Sequence, residues 1–327
     1  MWSNCRSRYK TLSASGSMSR REIGCSARGT ILGSAMAAHC TKPARCYDRG
    51  VNRSSWTGAT LLVATLASPA AAQQPPTRAA ATPAVIKDPL ARARVLYNQG
   101  EFEAAVSAAD QARLTPARAD SADLIAARAY LERFRESAVP DDLASARERL
   151  RRLDPQHLSA SERVEFIVGL GEALYFDETF GAAADVFESV LVRPSELTSD
   201  ARERVLDWWA SALDRDARPR SEIERTTGYQ RIRDRMQDEV ANRPASATAA
   251  YWLSAAAWGQ GDLQAAWDAA QAGWVRAGLA SDRGAALRAD LDRLVLRGLV
   301  PDRARVLAQP PETLHLEWER FKEKWTK

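Results

Sequence analysis

The stretch IVGLGEALYFDETFGAAADVFESVLVRP, residues 167–194, sets the fold expected for this chain. Large apolar residues recur in it at intervals of three and four, which is the period of one face of an α-helix. Small residues, Gly171 and Ala183, stand where two such helices would touch, and Pro194 ends the pattern. The stretch predicts two antiparallel helices joined by a short turn, that is, a helical hairpin.

The helical pattern extends over residues 89–327. This part of the chain is rich in Ala, Leu, Arg and Glu and shows no sustained alternation of apolar and polar residues, which is the pattern of a half-buried strand. Glycine and proline interrupt the pattern at spacings that leave helices of roughly 10 to 20 residues. We therefore predict an all-α fold.

The hairpin predicted at residues 167–194 carries a specific order of residues. A large residue, Leu, Gly and a second large residue lie in its first helix, and a small residue and two large ones lie in its second. The positions are Ile167, Leu170, Gly171, Leu174, Ala183, Phe187 and Val190. In this order the hairpin resembles the tetratricopeptide repeat. Small residues twelve positions apart, as at Gly171 and Ala183, recur at Ala93 with Ala105 and at Ser254 with Ala266.

The resemblance implies a right-handed α-solenoid of about five helical hairpins over residues 88–276. Two of the five are inferred from residues that fill the intervals between the three clearer copies, at 124–153 and 205–240. Both inferred hairpins are expected to have a lengthened loop between their helices, at 135–141 and 214–220. A terminal cap is expected after the array, because an open solenoid end would expose apolar surface.

Tryptophan is concentrated in the C-terminal half. Eight of the ten tryptophans lie beyond residue 207, at positions 208, 209, 252, 258, 267, 274, 318 and 325. Buried aromatic rings are commonly part of a core, so we expect these rings to fill gaps between helices. A ligand site in this half is the alternative. Apolar stripes within residues 277–327 predict the capping helices.

Residues 51–72 have the order of a secretory signal peptide. Arg53 supplies a positive start, residues 59–67 form a short apolar run, and three alanines precede a cleavage site predicted between Ala72 and Gln73. The apolar run is too short for a membrane span, which needs roughly 20 residues. We therefore expect a periplasmic or secreted protein that does not span a membrane after cleavage.

The residues around the signal peptide predict no packed structure. Residues 1–50 have no hydrophobic period, and we expect them to be untranslated, with initiation at Val51, or disordered. A start at Met36 is the alternative. Residues 73–87 are rich in Ala, Pro, Gln and Thr and predict a flexible linker.

The charges and cysteines are divided along the chain. Ten of the 46 basic residues but only two of the 42 acidic residues precede Gln73, so the remainder holds 36 basic and 40 acidic residues. A net charge of about −4 disfavours binding to nucleic acid. All four cysteines, Cys5, Cys25, Cys40 and Cys46, precede Val51. Disulfides, thiolate metal sites and cysteine nucleophiles are therefore excluded from the helical region.

No sequence motif of a catalytic, metal or cofactor site was found. The helical region has two histidines, His157 and His315, which are far apart in sequence and lack the His-Glu-x-x-His spacing of a zinc site. Neither a phosphate-binding loop nor a Gly-x-Ser-x-Gly nucleophile motif occurs. We assign no catalytic residue, metal or cofactor, and we expect a protein that is not an enzyme.

The tetratricopeptide resemblance also implies a binding groove. In that family the first helices of the hairpins line a concave surface. The matching residues here are Arg94, Tyr97, Arg128, Leu131, Glu172, Tyr175, Tyr251 and Trp258. The resemblance implies an interaction or scaffold protein that holds a protein or an extended peptide in this groove. The alternatives are an enzyme or small-molecule binder in the Trp-rich half, and an assembly element that associates through its last helices.

Overall fold

The structure is a computed structural model that describes residues 87–193, 197–280 and 282–325. Within these ranges the chain forms helices and no strand, which confirms the predicted all-α fold. The predicted leader, signal peptide and cleavage site lie outside the described residues, as does all of the predicted linker except Lys87. No helix of the described ranges is both long enough and apolar enough to cross a membrane.

Ten α-helices follow one another from residue 89 to residue 276. They are α1 (Pro89–Gln99), α2 (Phe102–Arg113), α3 (Ala119–Ser137), α4 (Pro140–Arg152), α5 (Ala160–Phe176), α6 (Phe180–Leu191), α7 (Ser199–Ala217), α8 (Glu222–Asn242), α9 (Ala247–Gly259) and α10 (Leu263–Arg276). Three more follow: α11 (Ala285–Leu294), α12 (Val300–Leu307) and α13 (Pro311–Trp325). A π-helical segment, Val295–Leu299, joins α11 to α12.

Local sequence signals explain where several of these helices begin and turn. Ser159 and Glu162 form a capping box that satisfies backbone N–H groups at the start of α5. Gly100 and Gly261, each at φ +82°, end the first helices of two hairpins in the left-handed conformation that glycine adopts without strain. Glu178 takes the same conformation at φ +59° after α5, so this turn is made without a glycine.

Each of helices α1 to α10 packs on the next along the chain. In addition, α1, α3, α5, α7, α9 and α11 form a series in which each helix contacts the next odd-numbered one. Towards the end of the chain, α11 packs on both α9 and α10, and α13 packs on α10 and α12. The odd-numbered helices are therefore neighbours although an even-numbered helix lies between them in sequence.

Small residues allow the two helices of a hairpin to approach closely. A methyl group added at Gly171 of α5 would lie 2.5 Å from the ring of Phe187 in α6. Ser254 of α9 is fully buried and its hydroxyl donates a hydrogen bond of 2.8 Å to the carbonyl oxygen of Ala266 in α10. Backbone and ring thus occupy space that larger side chains would need.

The expected lengthened loops are wrong. The loop between α3 and α4 is only Ala138–Val139, and the loop between α7 and α8 is residues 218–221. The extra residues instead extend the helices themselves, since α3 and α7 each have 19 residues. Pro140 is the first residue of α4, a position where proline favours a helix because its missing N–H would be unpaired there in any case.

Candidate functional site: polar side chains on the odd-numbered helices

Arg94 connects α1 to α5. Its Nη2 donates a hydrogen bond of 2.5 Å to Glu162 Oε1, and its Nη1 lies 3.7 Å from Glu165 Oε1. Glu162 is at the same time the capping residue of α5. One arginine of the first helix is thus held by two carboxylates that begin the third hairpin.

Arg128 of α3 also contacts α5. Its Nε is 3.5 Å from Glu172 Oε2 of α5, within ion-pair range but without a hydrogen bond, and its Nη1 donates to the carbonyl oxygen of Glu165 at 3.4 Å. Burial alone would lower the pKa of Arg128, but Glu172 and other nearby groups raise it above the ordinary value for arginine. The guanidinium therefore remains charged in a site from which water is largely excluded.

Two further residues, Glu132 and Arg204, belong to the same group of polar side chains and were not predicted from the sequence. Burial, followed by the charge of Glu172, raises the pKa of Glu132. Arg135, one turn further along α3, pairs with Glu132, but the contact is not aligned as a hydrogen bond and Glu132 Oε2 accepts none. Arg204 of α7 is exposed and has no ion pair among the described residues.

Arg204 of α7 interacts electrostatically with Tyr97 of α1 and with Glu132 of α3. Burial raises the pKa of Tyr97, while the charges of Arg128 and Arg204 act in the opposite direction. Arg204 also lowers the pKa of Glu132, against the larger effect of burial. Four helices, α1, α3, α5 and α7, therefore contribute to one face. We call it the odd-helix surface and define it by Tyr97, Arg128, Glu132, Glu172 and Arg204.

An aromatic row joins α3, α5 and α7. The ring of Phe176 meets Phe134 edge-on at a centroid distance of 4.9 Å and meets Trp208 at 5.5 Å. Tyr175, next to Phe176, is buried, and its ring lies 4.7 Å from Trp208 and under the guanidinium of Arg215. Burial raises the pKa of Tyr175 to about 12. Edge-on aromatic contacts of this kind fix the helices relative to one another.

Four of the eight predicted groove residues are buried, and a fifth is only partly exposed. The buried ones are Leu131, Glu172, Tyr175 and Tyr251, and the partly exposed one is Trp258. Leu131 is 1% exposed and packs in the core between α3 and α4. Tyr251 is 2% exposed and its ring lies edge-on to Trp252. Trp258 Nε1 donates a hydrogen bond of 2.8 Å to Asp302 Oδ2, and its ring contacts Gly298. Trp258 therefore packs against α12 and the π-helical segment before it.

The tryptophans of the C-terminal half are mainly core residues. Five of them are buried: Trp209, Trp252, Trp267, Trp274 and Trp318. Trp252 donates to Asp207 at 2.8 Å, and Trp318 donates to Asp292 at 2.9 Å, so the polar edges of these two rings are satisfied between helices. Trp209 Nε1 is buried without a hydrogen-bond partner. Trp325, on the last helix, is 49% exposed. The rings pack between helices, as the core interpretation expects.

The described residues contain no group of three or more His, Cys, Asp or Glu side chains arranged to hold a metal ion. His157 Nδ1 donates a hydrogen bond of 2.8 Å to Asp120 Oδ2, and this contact raises the pKa of His157. His315 lies on α13 and pairs with Glu319. The two histidines thus make separate contacts with carboxylates at the surface.

The odd-helix surface offers both signs of charge, hydrogen-bonding groups and aromatic rings. Arg128 Nε and Glu132 Oε2 are buried without hydrogen bonds, and such groups in folded proteins usually find a partner. The comparisons with known proteins add no candidate: no family model, no curated protein and no solved structure matches this chain.

Proposed function

We propose that this chain is an exported helical-repeat protein that binds a protein or an extended peptide on its odd-helix surface. The repeats would form a right-handed α-solenoid of tetratricopeptide type over residues 88–276, capped by residues 277–327. The series of contacts among the odd-numbered helices supports this arrangement, because stacked hairpins place their first helices side by side. The close approaches at Gly171 and Ser254 support the resemblance at the positions that define the repeat.

The observation that carries the binding proposal is that polar groups of the odd-helix surface lack hydrogen-bond partners. Arg204 is exposed and without an ion pair among the described residues, and its charge acts on Tyr97 and Glu132. Arg128 and Glu132 are ion-paired, but Arg128 Nε and Glu132 Oε2 have no hydrogen-bond partner. A bound chain could give carboxylate or carbonyl oxygens to Arg204 and Arg128, and N–H groups to Glu132. Charge-assisted hydrogen bonds of this kind are about twice as strong as neutral ones.

Arg204→Ala tests the proposal, with Arg276→Ala as the matched control. Arg276 is also an exposed arginine without an ion pair among the described residues, but it lies at the end of the even-numbered helix α10. We expect a partner to be recovered from envelope extracts with the wild-type chain and the Arg276 variant, and much less of it with the Arg204 variant. Equal recovery with both variants would contradict binding at this surface.

The export part of the proposal is tested separately. Mass spectrometry of the native protein should find a chain that begins at Gln73. Peptides from residues before Val51, or an intact chain that retains residues 61–66, would contradict the predicted signal peptide and its start site.

Association through the last helix is a second candidate function, because Trp325 is half exposed and Phe321 packs beside it on α13. Sedimentation with and without residues 310–327 distinguishes it. A monomer in both cases would eliminate this candidate without affecting peptide binding.

A further inference from the structure

A cleft of about 390 Å³ lies between α4 and α5, and none of its lining residues belongs to those that define the odd-helix surface. Its wall is mainly apolar: Ala144 and Leu150 come from α4, and Leu170, Ala173 and Leu174 come from α5. Leu150 and Ala173 are buried, while Leu170 and Leu174 are only partly covered. The cleft has the size of a small-molecule site and, like most such sites, combines an apolar wall with few polar groups.

The mouth of the cleft is formed by Arg147, Arg151 and Asp177. Arg147 donates hydrogen bonds of 2.8 and 2.9 Å to the two oxygens of Asp177, and both come from Nη1. Its Nε and Nη2 have no partner among the described residues. Arg151 likewise uses only Nη2, which donates to Glu148. The lining therefore has one more positive than negative side chain and several free N–H donors.

We propose that this cleft binds an anionic amphiphile, with an alkyl chain of medium length between α4 and α5 and a carboxylate at Arg147. The apolar wall would cover the chain and gain the free energy of removing it from water. The free Nε–H and Nη2–H of Arg147 lie on the edge of a guanidinium that binds a carboxylate with two parallel hydrogen bonds. Arg147 and Arg151 are each ion-paired already, with Asp177 and Glu148, so the preference for an anionic head group rests on their remaining N–H donors, which only an acceptor can use.

Calorimetric titration of the full chain with hexanoate, octanoate, decanoate and decanol tests the proposal. We expect affinity to rise about threefold to fourfold with each added methylene that the cleft can cover. Decanoate should bind about twofold to fivefold more tightly than decanol, which is the range expected for an ion pair at a solvent-exposed arginine. Acetate should show no binding, because it lacks the chain.

Variants at the mouth locate the site. Arg147→Ala should reduce the affinity for decanoate by about twofold to fivefold and leave the affinity for decanol unchanged. Arg152→Ala is the matched control: Arg152 lies on the same helix, is 42% exposed where Arg147 is 45% exposed, and is also ion-paired. Ala144→Trp, at an exposed helical position on the cleft wall, should block both ligands while circular dichroism shows an unchanged helix content.

Three results would overturn the proposal. The first is the absence of decanoate binding at millimolar concentration. The second is an equal effect of the substitutions at Arg147 and Arg152. The third is decanoate binding that Ala144→Trp does not reduce, since the chain would then lie elsewhere on the protein. None of these results bears on peptide binding at the odd-helix surface.

Discussion

Replacing Gly171 by alanine is expected to destabilise the protein, although alanine normally favours a helix over glycine. The added methyl would lie 2.5, 2.8 and 2.8 Å from three ring carbons of Phe187. Carbon atoms in contact prefer separations of about 3.5 to 4.0 Å, so the ring must retreat by roughly 1 Å. Phe187 is fully buried and stacks on Trp208 at a centroid distance of 6.2 Å, which restricts that movement.

The magnitude follows from two opposing contributions. Overpacking a core costs about 1 to 3 kcal/mol, and replacing glycine by alanine inside a helix gains about 0.5 to 1 kcal/mol. The contact at 2.5 Å is far inside the normal range, so we expect the first contribution to dominate. The net loss in the free energy of unfolding should be about 1 to 2 kcal/mol.

Phe187→Ala provides the decisive background, because it removes all three ring carbons that the new methyl would meet. This substitution alone should cost about 3 to 5 kcal/mol. In the Phe187→Ala protein, Gly171→Ala should then stabilise the fold by about 0.5 to 1 kcal/mol, since only the helix preference remains. The same substitution would thus change sign between the two backgrounds.

Urea unfolding of the full chain, followed by far-ultraviolet circular dichroism, measures all four members of this double-mutant cycle. Gly278→Ala is the control for the procedure, because a methyl at that position meets no atom within 4 Å. We expect it to change stability by less than about 0.5 kcal/mol. A stabilising effect of Gly171→Ala in the wild-type background would refute the close approach of α5 and α6.

Two further predictions concern buried charges. The pKa of Glu132 is raised in the folded state, so ionisation of Glu132 opposes folding. Glu132→Gln should therefore match the wild type in stability at acidic pH and become the more stable protein as pH rises through that pKa. Equal stability of the two proteins throughout a pH series of urea unfolding would contradict this prediction. Arg202 donates to both oxygens of the buried Glu239 at 2.8 Å. Glu239→Gln should cost about 3 to 5 kcal/mol at neutral pH by leaving Arg202 uncompensated. Burial would raise the pKa of Glu239, but hydrogen bonds from Arg202 and Arg243 hold it below the ordinary value. The loss of stability caused by Glu239→Gln should therefore shrink as pH falls through that lowered pKa. A loss below about 1 kcal/mol at neutral pH would contradict the buried ion pair of Arg202 and Glu239.

The helical class and the contact positions of the clearest hairpins could be predicted because each depends on local patterns. Apolar residues at intervals of three and four define a helix face without reference to the rest of the fold. The small residues at Gly171 and Ser254 lie where helices approach closely. Loop lengths were predicted less well. Ala138 ends α3 in a left-handed conformation at φ +55°, which glycine usually adopts, so the residue itself does not indicate where the helix ends.

The composition of the odd-helix surface could be predicted only in part. Successive residues of an α-helix point about 100° apart, so an error of one position moves a residue from the surface into the core. On α3 the predicted Arg128 lies on this surface, but one turn later the residue on this surface is Glu132, and the predicted Leu131 is buried. The two hairpins inferred at 124–153 and 205–240 were not predicted from a pair of small residues like those of the three clearer hairpins, and Arg204 lies immediately before the second of them.

The first helices of the chain and the later ones are stabilised by different residues, and the odd-helix surface takes Tyr97 from α1 and Arg204 from α7. The buried residues of α1 and α2 are mostly alanines, whereas Trp209, Trp267 and Trp318 fill the later helices. Burial of large rings removes far more apolar area from water than burial of methyl groups. We therefore expect α1, which carries Tyr97, and α2 to unfold locally more readily than α7, which carries Arg204. A ligand that contacts both would stabilise the weaker half, because binding to the folded form alone shifts the unfolding equilibrium.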